Sequence, residues 1–178
     1  MEFRELKRSI SRDFEFLRGD SRGIKSYIIT IFFNPKFQIL FNYRLSVYLE
    51  QSPFGFFNII TKYINLIVFS SEISPNAIIG ENIKIPHPIG LVIGHDVKIG
   101  DNVTIYQNVT IGGKNIGEGK YPTIGNSVVI FANTTIVGDI VISDNITIGA
   151  NSLVLSSCPA VGAVYAGNPA KKIQKDCR

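Results

Sequence analysis

An aliphatic residue recurs at every sixth position through most of the chain after residue 72. An α-helix repeats its apolar face about every 3.6 residues and a strand every second residue, so neither explains this period. A period of six held over so many repeats is typical of a solenoid of short parallel strands with a turn in each repeat. An ordinary β-sandwich is disfavoured because its strands do not keep one fixed period. The repeating residues, called markers below, are Ile73, Ile79, Ile85, Ile93, Ile99, Ile105, Ile111, Ile124, Ile130, Ile136, Ile142, Ile148 and Val154.

Residues suited to tight turns follow the same rhythm. Asn or Asp stands three positions after most markers, as at Asn82 and Asp96. These side chains tolerate the left-handed backbone region and hydrogen-bond within their own turn. The rhythm is broken twice, by two extra residues around His87 and by seven extra residues in the glycine-rich stretch 112–122. We predict that both interruptions contribute to a functional site.

Composition and charge exclude several classes of protein for this chain. With 45% hydrophobic and 18% charged residues the chain is globular rather than disordered. The net charge of +4 arises in residues 1–70, which carry ten Lys or Arg against six acidic residues. No stripe of basic and aromatic residues follows the repeats, so no nucleic-acid partner is predicted. The N-terminus has no secretory pattern, and Cys158 and Cys177 are predicted to be reduced thiols of a cytoplasmic protein.

The first 70 residues predict an α-helical region. We expect an amphipathic helix at about 2–18 and a second helix at about 36–50, with apolar runs at 24–33 and 54–69. The last run is too short and too polar to favour a membrane span. We expect these elements to form a cap against the repeats or a neighbouring subunit. Peripheral contact with an anionic membrane is the alternative.

The repeats resemble those of the hexapeptide-repeat acyltransferases, over roughly residues 70–175. Four stretches are similar to serine O-acetyltransferases and their relatives in polysaccharide biosynthesis, namely 72–75, 85–90, 109–114 and 166–170. The resemblance implies acetyl transfer from acetyl-CoA and a left-handed parallel β-helix with three hexads per coil. The prediction is a mainly β chain with a small α-helical N-terminal region.

The expected organisation has three parts. Residues 1–70 form the helical cap, residues 71–158 form the left-handed β-helix with its loop at 112–122, and residues 159–178 form a C-terminal tail. We expect a homotrimer, because a short β-helix has exposed apolar flanks and the loop needs a neighbouring subunit on which to act.

The resemblance assigns the catalytic base to His87, which stands between two prolines at the first interruption. A base must take the proton of the attacking hydroxyl. Serine O-acetyltransferases place an aspartate at the position of Glu72, and a carboxylate there would hold the imidazole tautomer and stabilise the imidazolium. The other histidine, His95, is interpreted as a solvated turn residue.

The loop at 112–122 is not a phosphate-binding loop of the Walker type, because it lacks that spacing of glycine, lysine and serine or threonine. By resemblance it covers the site of a neighbouring subunit. The backbone amide of Gly112 or Gly113 is the candidate donor to the oxyanion, and Gly112 also lies on the predicted coenzyme path. Lys114 is positioned to reach a coenzyme A phosphate.

The coenzyme groove of the family runs along stacked corners of the β-helix. The matching residues here are small and allow the pantetheine arm to approach; they are Ala132, Ala150 and Gly167. Asn168, Pro169 and Lys171 match the terminal motif near the adenine and phosphates.

The chain departs from serine O-acetyltransferases where the serine would bind. The family has Asp before the base histidine, His two positions after the residue matching Glu72, and an Arg-His pair late in the loop. Pro86, Ser74, Lys120 and Tyr121 stand there in this chain. Lys120 keeps a positive charge without the bidentate guanidinium fork, and Tyr121 offers an aromatic face.

These departures favour a sugar hydroxyl as acceptor, in capsule, O-antigen or exopolysaccharide synthesis. L-Serine is the first alternative, an amino-sugar nitrogen the second, and a non-catalytic binding module the third. No metal is expected, since a zinc-dependent hydratase on this scaffold needs three histidine ligands and the chain has two histidines in all.

Overall fold

The computed structural model describes residues 3–18, 23–115 and 119–173. Within these residues the chain begins with four α-helices and a short 3-10 helix at Gly55–Phe57. The α-helices are α1 (Phe3–Arg18), α2 (Ile24–Phe33), α3 (Pro35–Glu50) and α4 (Asn58–Phe69). Helices α1 and α3 agree with the two predicted helices, and the apolar run 24–33 is the additional helix α2. Asn34 starts α3 by accepting a hydrogen bond from the Lys36 N–H at 3.1 Å.

Short strands of two or three residues make up the rest of the described chain. They are β1 (Glu72–Ile73), β2 (Ile78–Ile79), β3 (Val92–Ile93), β4 (Lys98–Ile99), β5 (Thr104–Ile105), β6 (Thr110–Gly112), β7 (Thr123–Ile124), β8 (Val129–Ile130), β9 (Thr135–Val137), β10 (Val141–Ile142), β11 (Thr147–Ile148), β12 (Leu153–Val154), β13 (Val164–Ala166) and β14 (Lys171–Ile173).

The strands form three sheets that wind into a parallel β-helix. The first sheet has the order β1-β3-β6-β9-β12, the second β2-β4-β7-β10 and the third β5-β8-β11-β13-β14. The coils lie in register on one another, as Glu72 pairs with Val92 and Val92 with Thr110. At the two ends of the stack a single bridge replaces a strand, from Lys84 to Thr104 and from Ile142 to Cys158. Strands β13 and β14 fall within the predicted tail; β13 extends the third sheet, and β14 pairs with it antiparallel.

The markers form the core of the β-helix. Within each strand one side chain points outward and the next inward, as with exposed Val92 beside buried Ile93. Six markers have no exposed surface at all: Ile105, Ile111, Ile130, Ile136, Ile142 and Ile148. Close packing of this kind makes the removal of one isoleucine side chain cost about 2–5 kcal/mol.

The turns use the predicted Asn and Asp residues in the left-handed region. The φ angle is between 55° and 60° at Asn82, Asp96, Asn102, Asn108, Ser127, Asn133, Asn145 and Asn151. Pro88 cannot adopt a positive φ, and at that corner Gly90 takes it instead, with a φ of 70°. The period therefore locates most of the turns. Asn76 and Asp139 are further exceptions, and beside Asp139 it is Gly138 that has a positive φ, of 109°.

Helix α3 closes the N-terminal end of the β-helix. The Tyr43 hydroxyl donates to the Ala77 carbonyl at 2.7 Å. The Arg44 guanidinium donates to the carbonyls of Ile79 at 2.7 Å and Gly80 at 2.6 Å. These carbonyls belong to the first coil, which has no earlier coil to satisfy them. Arg44 also forms a buried ion pair with Asp13 of α1 at 3.1 Å, which ties two helices to the same end.

Helices α2 and α4 expose many apolar side chains. The most exposed are Ile24, Phe33 and Ile67, at 74–77%. No described helix is both long enough and apolar enough to cross a membrane. Contact of these faces with a neighbouring subunit or with a membrane surface stays a prediction.

Candidate active site

His87 lies at the corner between the third and first sheets, on the segment that leads into β3. The Gly90 N–H donates to the Phe69 carbonyl at 3.1 Å. The Asn108 N–H donates to the Ile89 carbonyl at 3.0 Å, so this segment is bonded to its neighbours on both sides. The prolines on either side restrict the backbone further. His87 is therefore an exposed side chain on a firmly held corner.

Two aromatic residues continue from His87 along the same corner. The Tyr106 ring lies with its centroid 6.3 Å from that of His87, and the Phe131 ring stacks on Tyr106 at 5.0 Å. Both residues directly follow a marker, which places them on successive coils. The sequence analysis did not single them out, although an aromatic residue at this repeat position is a detectable signal.

Glu72 lies on β1 with its side chain exposed. Its N–H donates to the Leu91 carbonyl at 2.7 Å, so β1 borders the segment that carries His87. Among the described residues the Glu72 carboxylate makes no hydrogen bond or ion pair with His87. Pairing between these two side chains stays a prediction.

Both ring nitrogens of His95 have a polar partner, whereas the His87 ring has none among the residues that the structure describes. Its Nδ1 lies 2.9 Å from the Asp96 carboxylate, and its Nε2 lies 2.9 Å from the Asn76 amide nitrogen. A neutral imidazole that donates from Nδ1 and accepts at Nε2 satisfies both contacts. The Tyr121 ring lies 6.3 Å from the His95 ring. His95 is thus exposed, as predicted, and it also lies next to the base of the loop.

The loop at 112–122 is described except for residues 116–118. Gly112 ends β6 and its carbonyl accepts a hydrogen bond from the Gly138 N–H at 3.1 Å. Gly113 packs against the Tyr121 ring so closely that a Cβ would lie 2.9 Å from a ring carbon. Lys114 and Lys120 are exposed. The two ends of the loop are held together, and both lysines are available to solvent or ligand.

The predicted acceptor residues do not converge within one chain. Pro86 and His87 precede the first-sheet strand β3, whereas Lys120 and Tyr121 follow the first-sheet strand β6. The width of the first sheet separates the two corners. A site that combines the two corners from neighbouring chains stays a prediction.

Three of the predicted coenzyme residues lie on the same corner as His87, whereas Gly112 ends the first-sheet strand β6 and Lys114 follows it, at the other corner. Ala132, Ala150 and Gly167 each follow a strand of the third sheet, on successive coils. The Ala132 carbonyl accepts from the Asn151 N–H at 2.9 Å, and the Gly167 carbonyl accepts from the Leu153 N–H at 3.0 Å. Gly167 has a φ of 104°, and Pro169 and Lys171 beyond it are exposed. The small residues thus lie in a row on the corner that carries His87, and their binding of the coenzyme stays a prediction.

The thiol of Cys158 is not placed for catalysis. Burial raises the pKa of the Cys158 thiol to about 11, and the residue is 1% exposed. Cys177 lies outside the described residues. In the described ranges there is no group of three or more His, Cys, Asp or Glu side chains suited to a metal ion.

No model of a known protein family matches the chain. A serine acetyltransferase of Helicobacter pylori is 41% identical over 143 residues, which cover 80% of this chain and 83% of the relative. The chain belongs to the serine acetyltransferase family. A second family member, from Staphylococcus xylosus, is 47% identical over 108 residues, covering 60% of this chain and 50% of that protein.

Solved structures of serine acetyltransferases support the same family assignment. The soybean serine acetyltransferase apoenzyme superposes with a TM-score of 0.82 at 30% identity, covering 94% of this chain and 69% of the soybean chain. A serine acetyltransferase in complex with CoA superposes with a TM-score of 0.82 at 27% identity, covering 96% and 71% of the two chains. The predicted fold, a left-handed parallel β-helix with a small helical N-terminal region, is confirmed.

Membership of the serine acetyltransferase family also defines the general reaction. The chain is an acetyl-CoA-dependent O-acetyltransferase, and acetyl-CoA is its cosubstrate. The predicted sugar acceptor is not supported by these relatives, which favour the serine that was the first alternative.

Proposed function

We propose that this enzyme transfers the acetyl group of acetyl-CoA to the hydroxyl of L-serine. The observation that carries the proposal is the 41% identity to a serine acetyltransferase along 83% of that protein's length. The proposed product is O-acetylserine, with free coenzyme A as the second product.

His87 acts as the general base. Its imidazole takes the proton of the acceptor hydroxyl as that oxygen forms a bond to the acetyl carbon. The imidazolium then returns the proton to the sulfur of coenzyme A as the carbon–sulfur bond breaks, so His87 ends the cycle neutral. Acetyl-CoA supplies an activated acyl group, and the residues of the chain position the two substrates and transfer the proton.

Glu72 and the loop glycines support this proton transfer. A carboxylate close to the imidazole favours the imidazolium that forms during the reaction. Rotation of the exposed Glu72 side chain is the step that would bring its carboxylate to His87. A backbone amide of Gly112 or Gly113, from the loop of a neighbouring chain, donates to the oxyanion as it forms on the acetyl carbonyl.

The coenzyme lies along the corner shared by His87, Ala132, Ala150 and Gly167. Small side chains at these positions let the extended pantetheine arm contact the backbone. Lys171 at this corner and Lys114 from the loop of a neighbouring chain offer charge to phosphates. We further propose that a homotrimer completes the site, because the loop lies one sheet away from His87 in its own chain.

A sugar hydroxyl is the second candidate acceptor. Pro86, Ser74 and Tyr121 replace the polar or charged residues that the family uses for the serine zwitterion. The Tyr106 and Phe131 rings beside His87 present aromatic faces, which suit the apolar face of a sugar ring.

The deciding assay is release of the coenzyme A thiol from acetyl-CoA. L-Serine is offered in one series, and sugars, nucleotide sugars and oligosaccharides in a parallel series. Saturable release with L-serine supports the proposal. Release with a glycan and none with L-serine overturns it in favour of the second candidate.

A further inference from the structure

Among the described residues, one buried side-chain oxygen or nitrogen has no hydrogen-bond partner, and it is Oε1 of Gln107. Gln107 lies in the turn between β5 and β6. Enclosing an amide oxygen without a donor costs free energy, so such an atom calls for a ligand or a water molecule to complete it. The side chain of Gln107 is therefore a candidate for binding a hydrogen-bond donor from outside the chain.

The side chains on either side of Gln107 already have partners. The Tyr106 ring stacks on that of Phe131, with 5.0 Å between the centroids. The Asn108 side-chain N–H donates to the Asn133 side-chain oxygen at 3.0 Å. Gln107 differs from both neighbours in that its side-chain oxygen meets no donor in the part of the chain that the structure describes.

Gln107 precedes Ala132 in the row of residues on the His87 corner. The Asn133 N–H donates to the Gln107 carbonyl at 3.1 Å, and the Asn151 N–H donates in the same way to the Ala132 carbonyl at 2.9 Å. Gln107 therefore lies one coil before Ala132, on the side of His87. The later members of the row are alanine or glycine, so Gln107 is the one whose side chain can form a hydrogen bond.

The spacing of this row matches the chemistry of the coenzyme arm. Neighbouring coils lie about 4.8 Å apart. Gln107 is one coil beyond the segment that carries His87, because the Asn108 N–H donates to the Ile89 carbonyl at 3.0 Å. In acetyl-CoA, two methylene groups separate the sulfur from the nearest amide nitrogen, a span of about 4 Å. A thioester held at His87 therefore brings that amide N–H to the coil of Gln107.

We propose that the side-chain oxygen of Gln107 accepts a hydrogen bond from the acetyl-CoA amide N–H that lies nearest the sulfur. Gln107 is half-buried, and the last side-chain torsion of glutamine is broad, so its oxygen can turn toward this donor. The contact holds the thioester next to His87. The inference rests on the proposed path of the coenzyme along this corner and does not depend on the identity of the acceptor.

The test uses two forms of the cosubstrate, natural acetyl-CoA and an analogue in which an ester oxygen replaces the N–H of that amide. Both are assayed with the wild type, Gln107→Met and the matched control Gln51→Met, which removes an exposed glutamine at the end of α3. Loss of one hydrogen bond lowers kcat/KM about five- to tenfold. We expect the wild type and Gln51→Met to prefer the natural amide by this factor, and Gln107→Met to use both forms about equally.

Three results would overturn the contact. The first is a wild type with no preference for the amide, which is decisive even if Gln107→Met does not fold. The second is an undiminished preference in Gln107→Met, as expected if a water molecule completes the oxygen. The third is an equal loss of kcat with both forms and a shifted pH profile, which would assign Gln107 to the His87 imidazole instead.

The same assays separate this contact from the other proposals. Any acceptor that supports thiol release can be used, so inactivity of L-serine overturns the proposed function alone. Dissociation constants of coenzyme A and its ester analogue, measured by calorimetry, give the same comparison without an acceptor. Ala132→Leu tests the coenzyme path. An unchanged KM for acetyl-CoA in Ala132→Leu overturns the path and the contact together, whereas a raised KM with an undiminished amide preference in Gln107→Met overturns the contact alone.

Discussion

At the scale of single residues, the two histidines differ in how they are held. His95 is oriented by Asp96 and Asn76, each 2.9 Å from a ring nitrogen, yet it lies at the base of the loop. His87 is held by its backbone and lies beside Tyr106 on the corner that the small residues follow. The hydrogen bonds of an imidazole therefore do not by themselves identify the base.

Substituting each histidine by alanine tests this assignment. Loss of a general base lowers kcat about 10²–10⁴-fold, and we expect this for His87→Ala with coenzyme A binding retained. His95→Ala, the matched control, should keep kcat within a few-fold. Coenzyme binding is measured by calorimetry and turnover by thiol release. A larger loss of kcat in His95→Ala than in His87→Ala would contradict the assignment.

The buried Cys158 predicts a pH dependence of stability. Burial raises the pKa of its thiol from 9.0 to about 11, so the native state holds this proton more tightly than the unfolded state does. The resulting stabilisation is fully present below about pH 9 and is lost as the pH rises toward 11. A two-unit shift corresponds to at most about 3 kcal/mol.

The measurement is urea unfolding at pH 8 to 11 for the wild type and Cys158→Ala. Burial also raises the pKa of Tyr43, to about 12, but that effect is common to both proteins and cancels in the difference. We expect the stability advantage of the wild type to shrink across this range. A constant difference from pH 8 to pH 11 would be inconsistent with a raised thiol pKa.

At the scale of elements, Arg44 attaches the N-terminal helices to the β-helix. Its guanidinium satisfies two carbonyls of the first coil and pairs with Asp13. Burial raises the pKa of Asp13, with the Arg44 charge opposing that rise, so desolvation outweighs the attraction even in this ion pair. Removal of Arg44 would leave a buried carboxyl and two carbonyls without their donor.

We therefore expect Arg44→Met to lower the free energy of unfolding by about 3–5 kcal/mol. Arg12→Met is the control, because Arg12 pairs with Glu81 at the surface, where such a pair contributes about 1 kcal/mol or less. Urea unfolding followed by circular dichroism gives both values. Equal losses in the two variants would show that the buried contacts of Arg44 do not hold the helices to the β-helix.

The period of six predicted the elements of the β-helix well because each marker contributes to one local strand and one local turn. Ile93, Ile111 and Ile130 occupy the interior as expected. The antiparallel return of β14 was not predictable, because it depends on pairing with β13 after the period has ended. The helix α2 was visible only as an apolar run, since its exposed faces give no helical periodicity.

The site was predicted less completely than the fold. The corner residues Ala132, Ala150 and Gly167 align with His87 because the repeat places them there. A cavity between helix α4 and strand β1 was not predicted, because it forms where two different kinds of element pack together. Contacts between different kinds of element leave no period in the sequence.

At the scale of the whole molecule, the separation of His87 from the loop predicts a shared site. We expect a homotrimer by sedimentation equilibrium, with the loop of one chain over the His87 corner of the next. Coexpression of His87→Ala with a variant that replaces Lys114, Lys120 and Tyr121 by alanine should yield mixed trimers. Some interfaces in these trimers join an intact His87 to an intact loop.

Such mixed trimers should be more active than either variant alone. The control is the two parents purified separately and assayed immediately after mixing. The opposite result has two parts: the coexpressed sample is no more active than that control, and the protein has a monomeric mass. Together they would show that each chain completes its own site.

The contacts of Tyr43 and Arg44 with Ala77, Ile79 and Gly80 have a further consequence for handling the protein. A stack of parallel coils has open ends, and any exposed end can template the addition of another coil. The N-terminal helices block one end of the stack and the antiparallel β14 covers part of the other. A chain started at residue 71 would therefore not be a minimal enzyme. It would expose the unpaired backbone groups of the first coil, and we expect it to polymerise into fibres.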